Sequence, residues 1–487
     1  MSLTTSLNIA RSALNATGGQ TAVVSRNIAS VNDPNYTRRY ANLTTLEGGG
    51  VSVSSIGRST DKVLFDARLD ASSQSTMQDS IVAALERLQN TVGDPESETS
   101  AAALIGKLND ALQLYATSPN DNAAAASAVA RANDVARALN DATSAVQSVR
   151  SQADADMASS VGTINSLLSK LEEVNATIVG RSSTNEDISD YLDQRDKIIS
   201  DLSQEIGIKT QIRGNNDLVV FTDSGVTLFE TKARTVTFQA TPGYNAATPG
   251  NAVYVDGVPV TGDSASMGIR SGRLAGLAAI RDDYAPRYQA QLDEIARGLI
   301  QSFAESDQSG GALPDVPGLF TWSGNPAIPG VGAVSGLAGE IRVAASVDPA
   351  QGGNAKLLRD GGISGNPAYV YNSTNAAGFT DRLQGLIDSL GASQAFDPSA
   401  GLGANATLAS FASGSAGWLQ EARKSATADA TYSTALLNRA TESLSNASGV
   451  NLDEEMTIML ELERSYQASA KLMSAVNDLF QTLLDSV

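Results

Sequence analysis

Apolar residues recur in alternating steps of four and three at both ends of this 487-residue chain. The first series runs Leu3, Leu7, Ala10, Leu14, Thr17, Thr21, Val24, Ile28, Val31. The last runs Met459, Leu462, Tyr466, Ser469, Met473, Val476, Phe480, Leu483, Val487. A 3.5-residue repeat draws one narrow seam along a helix, and neither seam can be buried by its own helix. The ends also differ in charge, with residues 1–40 at +3 and residues 449–487 at −5. Opposite charge favours pairing the two with each other. Exposed ion pairs contribute only about 0–1 kcal/mol each, so the seams must supply most of the association.

A second helical pattern runs from Asp121 through Val129, Ala132, Ala136, Leu139, Thr143 and Val146. It is interrupted at Arg150, then resumes through Ala153, Met157, Ser160, Ile164, Leu167, Leu171, Val174 and Ile178. Pro119 precedes it and Gly180 closes it. At 1.5 Å per residue this helix reaches on the order of 87 Å, far beyond the usual globular length. A return partner is read at Leu419, Ala422, Ala426, Leu436, Ala440, Leu444 and Ala447, with shorter helices near 61–93, 97–116, 184–206, 274–305 and 379–391.

Residues 207–268 change character. Leu218–Phe221, Thr235–Phe238 and Val253–Val255 are strand-like and separated by turn signals, and Asp256-Gly257 before Val258-Pro259-Val260 is a strong hairpin signature. Residues 310–365 are rich in Gly and Pro, with one strand-like piece at Glu340–Ala344. The expected fold is mainly α with an inserted β domain. It pairs terminal coiled-coil helices (1–40 with 449–487), builds an elongated helical-bundle rod (41–206 with 270–309 and 366–448), and carries an outer β-rich domain (207–269 with part of 310–365).

Composition excludes much chemistry. Cysteine and histidine are both absent, which removes disulfides, thiolate metal sites, the commonest general base and the commonest zinc ligand. With 34 Lys and Arg against 53 Asp and Glu, a net charge of −19, no basic patch is available to displace counterions from nucleic acid. The chain lacks a long uncharged apolar run and its start lacks a secretory signal pattern, so neither membrane insertion nor that export route is expected. Gly48-Gly49-Gly50 lacks the flanks of a phosphate loop and reads as a corner between helix and strand. Asp360-Gly361-Gly362 does not fit a calcium loop. Lys424 and Ser425 are adjacent on a helix and do not face each other. No cofactor, metal or catalytic residue is assigned. A carboxylate-pair hydrolase needs only two acids, but 5% aromatics is a thin supply for a sugar cleft.

Two motifs remain. In Ser25–Arg38, Pro34 and Asn35 force the chain out of the first helix, with Asn35 suited to the left-handed region and Asn27 and Asn32 placed to bond freed backbone groups. The second is Leu192-Asp193-Gln194-Arg195-Asp196, which with Asp193 and Lys197 spaced (i, i+4) passes as a solvated helix face.

The Asn27–Tyr36 stretch resembles the N-terminal signature of the bacterial flagellar axial proteins, the rod, hook and hook-associated family, which usually has Gly where Asn35 stands. Gly449–Met456, followed by Tyr466–Lys471, is similar to the matching C-terminal motif. Leu192–Asp196, the overall length, the Gly449–Met456 form and Asn354 following Ile341–Pro349 look most like the members at the hook–filament junction. The terminal resemblance covers about 80 residues well, the helical body moderately and residues 207–340 hardly at all.

The resemblance implies a structural, non-enzymatic protein of the flagellum that joins hook to filament and permits filament assembly. It implies export through the flagellar type III apparatus, a cytoplasmic chaperone on the last helix at Met473, Phe480 and Leu483, and an extracellular location. The partners it implies are copies of itself in a helical ring, hook protein, hook-associated protein 3 and the filament cap. The expected subunit interface is Leu3, Leu7, Leu14, Val24, Ile28, Val31, Met459, Leu462, Tyr466, Met473, Val476, Phe480, Leu483 and Val487, with Asn27, Asn32, Pro34, Asn35 and Tyr36 forming the motif turn. The terminal helices are expected to order only on assembly. The alternatives are a hook or distal-rod protein, or a flagellum-displayed hydrolase in the outer domain.

Overall fold

The computed structural model describes residues 2–92, 99–184 and 186–485. Helix α1 (Leu3–Ala29) begins where the Ser2 side chain accepts the Thr5 amide, satisfying one of the donors a helix leaves free at its start. A hairpin follows, β1 (Arg39–Thr45) and β2 (Val51–Arg58), paired antiparallel with a register shift at Asn42/Leu43. Gly48 and Gly49 turn it at φ +96° and +90°, values glycine reaches without steric cost. The triglycine is therefore a turn between two strands, and not the helix-to-strand corner its neighbours suggested.

The body is built from α2 (Lys62–Val92), α3 (Ala101–Thr117), α4 (Asn122–Ser182) and α5 (Ser189–Glu205). Helix α4 is capped by Asp121, whose side chain accepts the Ala123 amide, and it runs 61 residues without a break. Every apolar position of the predicted seam is buried in it, from Val129 to Ile178. Arg150 does not interrupt it. Its guanidinium is buried and donates to the carbonyls of Arg281, Asn245 and Thr248 at 2.7–3.1 Å, so a charge at a seam position is matched by backbone acceptors.

Small antiparallel sheets lie against the second half of α4. One is β3 (Ile208–Ile212), β4 (Leu218–Thr222), β5 (Thr227–Glu230) and β6 (Lys232–Ala233); the other is β7 (Val236–Thr237), β8 (Tyr254–Val255) and β9 (Val258–Pro259). Asp256 and Gly257 both take positive φ in the β8–β9 turn, as a two-residue hairpin requires. Asn165 of α4 gives and receives one hydrogen bond with the backbone of Val236, at 2.8 and 3.0 Å.

Helix α6 (Arg273–Ala279) passes through a π-turn, Ile280–Tyr284, into α7 (Ala285–Ser302). The π-turn places fully buried Arg281 against Asp154 at 2.7 Å and Asp282 at 2.8 Å. Loops carrying β10 (Phe320–Thr321), α8 (Leu337–Glu340), β11 (Arg342–Val343) and α9 (Leu357–Asp360) then fold back on α7. Where a strand was read at Glu340–Ala344, a helical turn ends at Glu340 and only Arg342–Val343 pairs, with β10. Asp293 of α7 accepts the amides of Gly336 and Ala338, and Glu294 those of Gly332 and Asp397. Two adjacent carboxylates thus anchor these Gly-rich loops. The chain closes with α10 (Asp381–Gly391), the short hairpin β12 (Ser393–Ala395) and β13 (Asn405–Thr407), α11 (Leu408–Ser448) and α12 (Leu452–Asp485).

Helix α11 was read as the partner of α4. It packs principally along α2, then α7 and α3, because the α4 seam is already covered by α2, α3, α5, α6 and α7. One continuous core of buried residues extends from Leu69 to Ala426. Helices α1 and α12 lie outside it and pack along each other, antiparallel, so both terminal helices are formed within a single chain.

Candidate functional site

The terminal pair uses the seams that the spacing marks. On α1, Ala10, Thr17 and Val24 are buried and Leu3, Leu7, Leu14 and Ile28 are half-covered; Val31 is half-covered in the turn beyond. On α12, Leu462 and Val476 are buried, while Met459, Met473 and Phe480 are half-covered. Tyr466 is 51% and Leu483 53% exposed. Val487 lies outside the described residues. Further leucines flank the seam in the open, with Leu472 at 51% and Leu479 at 55%. One partner helix is too little to cover the apolar surface of α12, whose only other described buried side chain is Glu455.

Glu455 marks the base of the pair, where α1 ends, β1 begins and α12 starts. Asn451 caps α12, its side chain accepting the amides of Asp453 and Glu454, and the acidic first turn complements the helix dipole. Asn27, fully buried near the end of α1, spends both ends of its amide. Its Nδ2 donates to the Arg39 carbonyl at 2.9 Å and to Glu455 Oε2 at 3.0 Å. Its Oδ1 accepts the Arg39 amide at 3.1 Å and the Tyr36 hydroxyl at 2.9 Å. Burial raises the Tyr36 phenol above its ordinary value, so the hydroxyl stays a donor. Arg38 closes the set, with Nε 2.6 Å from Glu455 and Nη2 3.0 Å from Glu454. A buried polar cluster whose members are all satisfied holds one geometry, and a missing member leaves the others unpaired.

The second motif joins the same site. Arg39 reaches Asp190 at 2.6 Å and Asp193 at 2.8 Å, and Arg58 lies 2.6 Å from both Asp193 and Asp196. Asp193 therefore binds the hairpin base to α5 and does not serve Lys197. The face read as solvated is the seat of the terminal pair on the body. Arg195 is buried and donates to the Asn216 carbonyl at 2.6 Å. The Arg38 amide also donates to the Ser448 carbonyl at 2.9 Å, tying the hairpin base to the end of α11.

The motif turn differs in detail from its expected form. Asn35 is not among the residues with positive φ; instead its amide donates to Asp33 Oδ1 at 2.9 Å, an Asx-turn that any residue at 35 can follow. Asn32 and Pro34 are exposed. The residues missed by sequence reasoning are Arg39, Arg58, Glu455 and Asp190. The alternation on either side of Gly48-Gly49-Gly50 was the available signal for the hairpin that carries the two arginines.

The terminal helices are joined through this polar latch to the helical body, and comparisons with known proteins find the following. Residues 85–319 match the family described as the flagellar hook-associated protein FlgK helical domain, and residues 443–486 match flagellar basal body rod FlgEFG protein C-terminal. The first match runs into the β-rich segment, where the motifs had carried little resemblance. Flagellar hook-associated protein 1 of Bacillus subtilis is 23% identical over 521 residues, 99% of this chain and 98% of that protein. The Salmonella typhimurium protein of the same description is 24% identical over 309 residues, 61% of this chain and 55% of the other. A solved structure, the flagellar hook junction protein FlgK from Burkholderia pseudomallei, aligns over 53% of this chain and 47% of that one at 25% identity, with a TM-score of 0.44. The chain is similar to flagellar axial proteins. Over nearly its whole length it is similar to a flagellar hook-associated protein 1.

Proposed function

We propose that this chain is a structural subunit that assembles where hook and filament meet and on which the filament is built. Near end-to-end correspondence with a hook-associated protein 1 carries this reading. The half-covered terminal pair supports the mode of assembly. A head-to-tail contact that does not close on itself generates a helical array, and neighbouring copies are the natural cover for Tyr466, Leu472, Leu479 and Leu483. The terminal pair then forms the inner layer, the helical body lies outside it and the β sheets outermost, in a flagellar, extracellular location. Copies of itself, hook protein, hook-associated protein 3 and the filament cap are the partners at its two ends. A cytoplasmic export chaperone gripping Met473, Phe480 and Leu483 competes with α1 for the same seam, which keeps the subunit from polymerising before it passes the type III export apparatus.

Deletion of the gene tests this directly. The expected strain makes hooks without filaments and sheds filament protein into the medium, and the gene restores filaments. Normal filaments in the deletion strain contradict the reading.

A further inference from the structure

Beside the latch lies a cleft of about 360 Å³, within the size range of binding pockets. The motif turn, the start of α2, α5, β3 and the α11–α12 joint enclose it. Five cationic and three acidic side chains line it, in a chain whose net charge is −19. Its walls are otherwise apolar at Phe65, Leu192, Ile212 and Leu444.

Two of its arginines, buried Arg195 and half-buried Arg68, lack the carboxylate that several buried guanidiniums receive, and neither has the three carbonyl acceptors that match Arg150. Arg39 meets Asp190 and Asp193, Arg281 meets Asp154 and Asp282, Arg297 meets Glu294, and Arg359 meets Asp360. Arg195 donates only to the Asn216 carbonyl and Arg68 only to the Ser200 hydroxyl. Among the described residues neither forms an ion pair, and the Nε of each is shielded from solvent without a hydrogen-bond partner. Burial holds both guanidiniums below their ordinary values. The nearby Asp196 is engaged by Arg58. An uncompensated buried charge costs stability until a carboxylate arrives.

The same chain carries a shape that answers this cleft. At the β1–β2 tip, Glu47 is exposed between Leu46, 44% exposed, and the glycine turn, with Leu43 also in the open. The tip rests on the first half of α1, where the Val51 amide donates to Ser12 Oγ at 3.1 Å. The cleft begins at Ser30, eighteen residues further along, so tip and cleft of one chain stand about 27 Å apart by helical rise. They cannot meet within one molecule.

We infer that the Leu46-Glu47 tip of one copy docks in the cleft of the next, its carboxylate neutralising Arg68 and Arg195 and its leucine lying on the apolar wall. Knob and socket at separate places along α1 form a heterologous contact, which propagates and does not close into a two-fold dimer. The inference rests on the reading of this chain as a self-assembling subunit, and it names the contact that reading leaves open.

The chain contains no cysteine, so introduced pairs report cleanly. Full-length Thr45→Cys and Thr441→Cys proteins, the first beside the tip and the second on the cleft wall, are mixed and oxidised while light scattering follows association. A disulfide-linked pair joining the two variants is expected. Adding Arg68→Gln and Arg195→Gln to the cleft partner lowers its yield about tenfold and leaves the melting temperature unchanged or higher, since an unpaired buried charge is gone. Glu47→Gln, at an exposed position that cannot unfold the chain, lowers the yield in the same direction. Association without this cross-link overturns the docking alone. Failure of the unsubstituted chain to associate overturns the docking and the assembly reading together. A lower melting temperature with undiminished cross-linking assigns the two arginines a purely structural role and also overturns it.

Discussion

Helices α4 and α12 carry the same kind of apolar seam and meet opposite fates. In α4 the seam is covered on all sides by helices and sheet edges of its own chain, and even its misplaced charges, Arg150 and Asp154, find buried partners. In α12 a single helix covers part of the seam, and Leu472, Leu479, Leu483 and Leu484 stay in the open. Periodicity says that a helix needs a partner, but not how many or from which molecule. The difference separates a helix whose seam is covered within one chain from a helix left with apolar surface in the open.

Substitutions at matched positions should break the two regions differently. Leu168→Ala, at a fully buried site of α4, is expected to cost about 2–5 kcal/mol and to lower the main melting transition seen by calorimetry. If the body melts unchanged, the central place given to α4 is wrong. The double change Met473→Asp and Phe480→Asp is expected to leave that transition in place while circular dichroism loses the helical signal of α1 and α12, and chaperone binding and incorporation into filaments fail. Filaments of normal number from this variant would show that the α12 seam is not the assembly surface.

A smaller effect is expected at the seat between the regions. Asp193→Ala deprives Arg39 and Arg58 of a shared carboxylate, although Asp190 and Asp196 remain. A loss of about 1–3 kcal/mol should appear as faster proteolysis within α1, the hairpin and α12, with the body resistant. Equal loosening of α4 would mean that terminal pair and body unfold as one unit.

The smallest effect separates the Gly-rich loops from the rest by pH. Burial raises the Asp293 carboxyl above its ordinary range, although the amides of Ala338 and Gly336 and the Gln289 side chain donate to it. A raised carboxyl binds its proton more tightly in the folded chain than in the unfolded one. Its contribution to stability is therefore gained as pH falls through the folded-state value toward the ordinary carboxylate range, and lost as pH rises through the folded-state value. The stability of the unsubstituted chain relative to Asp293→Asn should grow as the solution is acidified. A difference that shrinks instead would mean the carboxylate is favoured in its charged form.

The long elements were legible because their spacing repeats over many turns. The α4 seam from Val129 to Ile178 and both terminal stripes fall where the periodicity put them, and Asp256-Gly257 announced its hairpin. What failed involved choices made in three dimensions. The α11 pattern was sound as a helix, but which helix it lies on depends on what already covers α4. Gly48-Gly49-Gly50 looked like a corner because the flanking strands, Arg39–Thr45 and Val51–Arg58, pair only with each other and rest on α1, a contact that local sequence does not display. Asn27 was read as a helix-end cap and is the centre of a latch, because its partner Glu455 is 428 residues away. Asp193 looked solvated for the same reason: Lys197 is the basic neighbour that sequence displays, whereas Arg39 and Arg58 arrive only with the fold.

The account turns on α1 and α12 being incompletely covered until neighbours arrive. Hydrogen exchange on the full-length chain, free and assembled, measures this most directly. Amides of α4 should be strongly protected in both states, while those of α1 and α12 exchange quickly in the free subunit and become protected on assembly. Equal protection of α12 and α4 in the free subunit, with no gain on assembly, would contradict it.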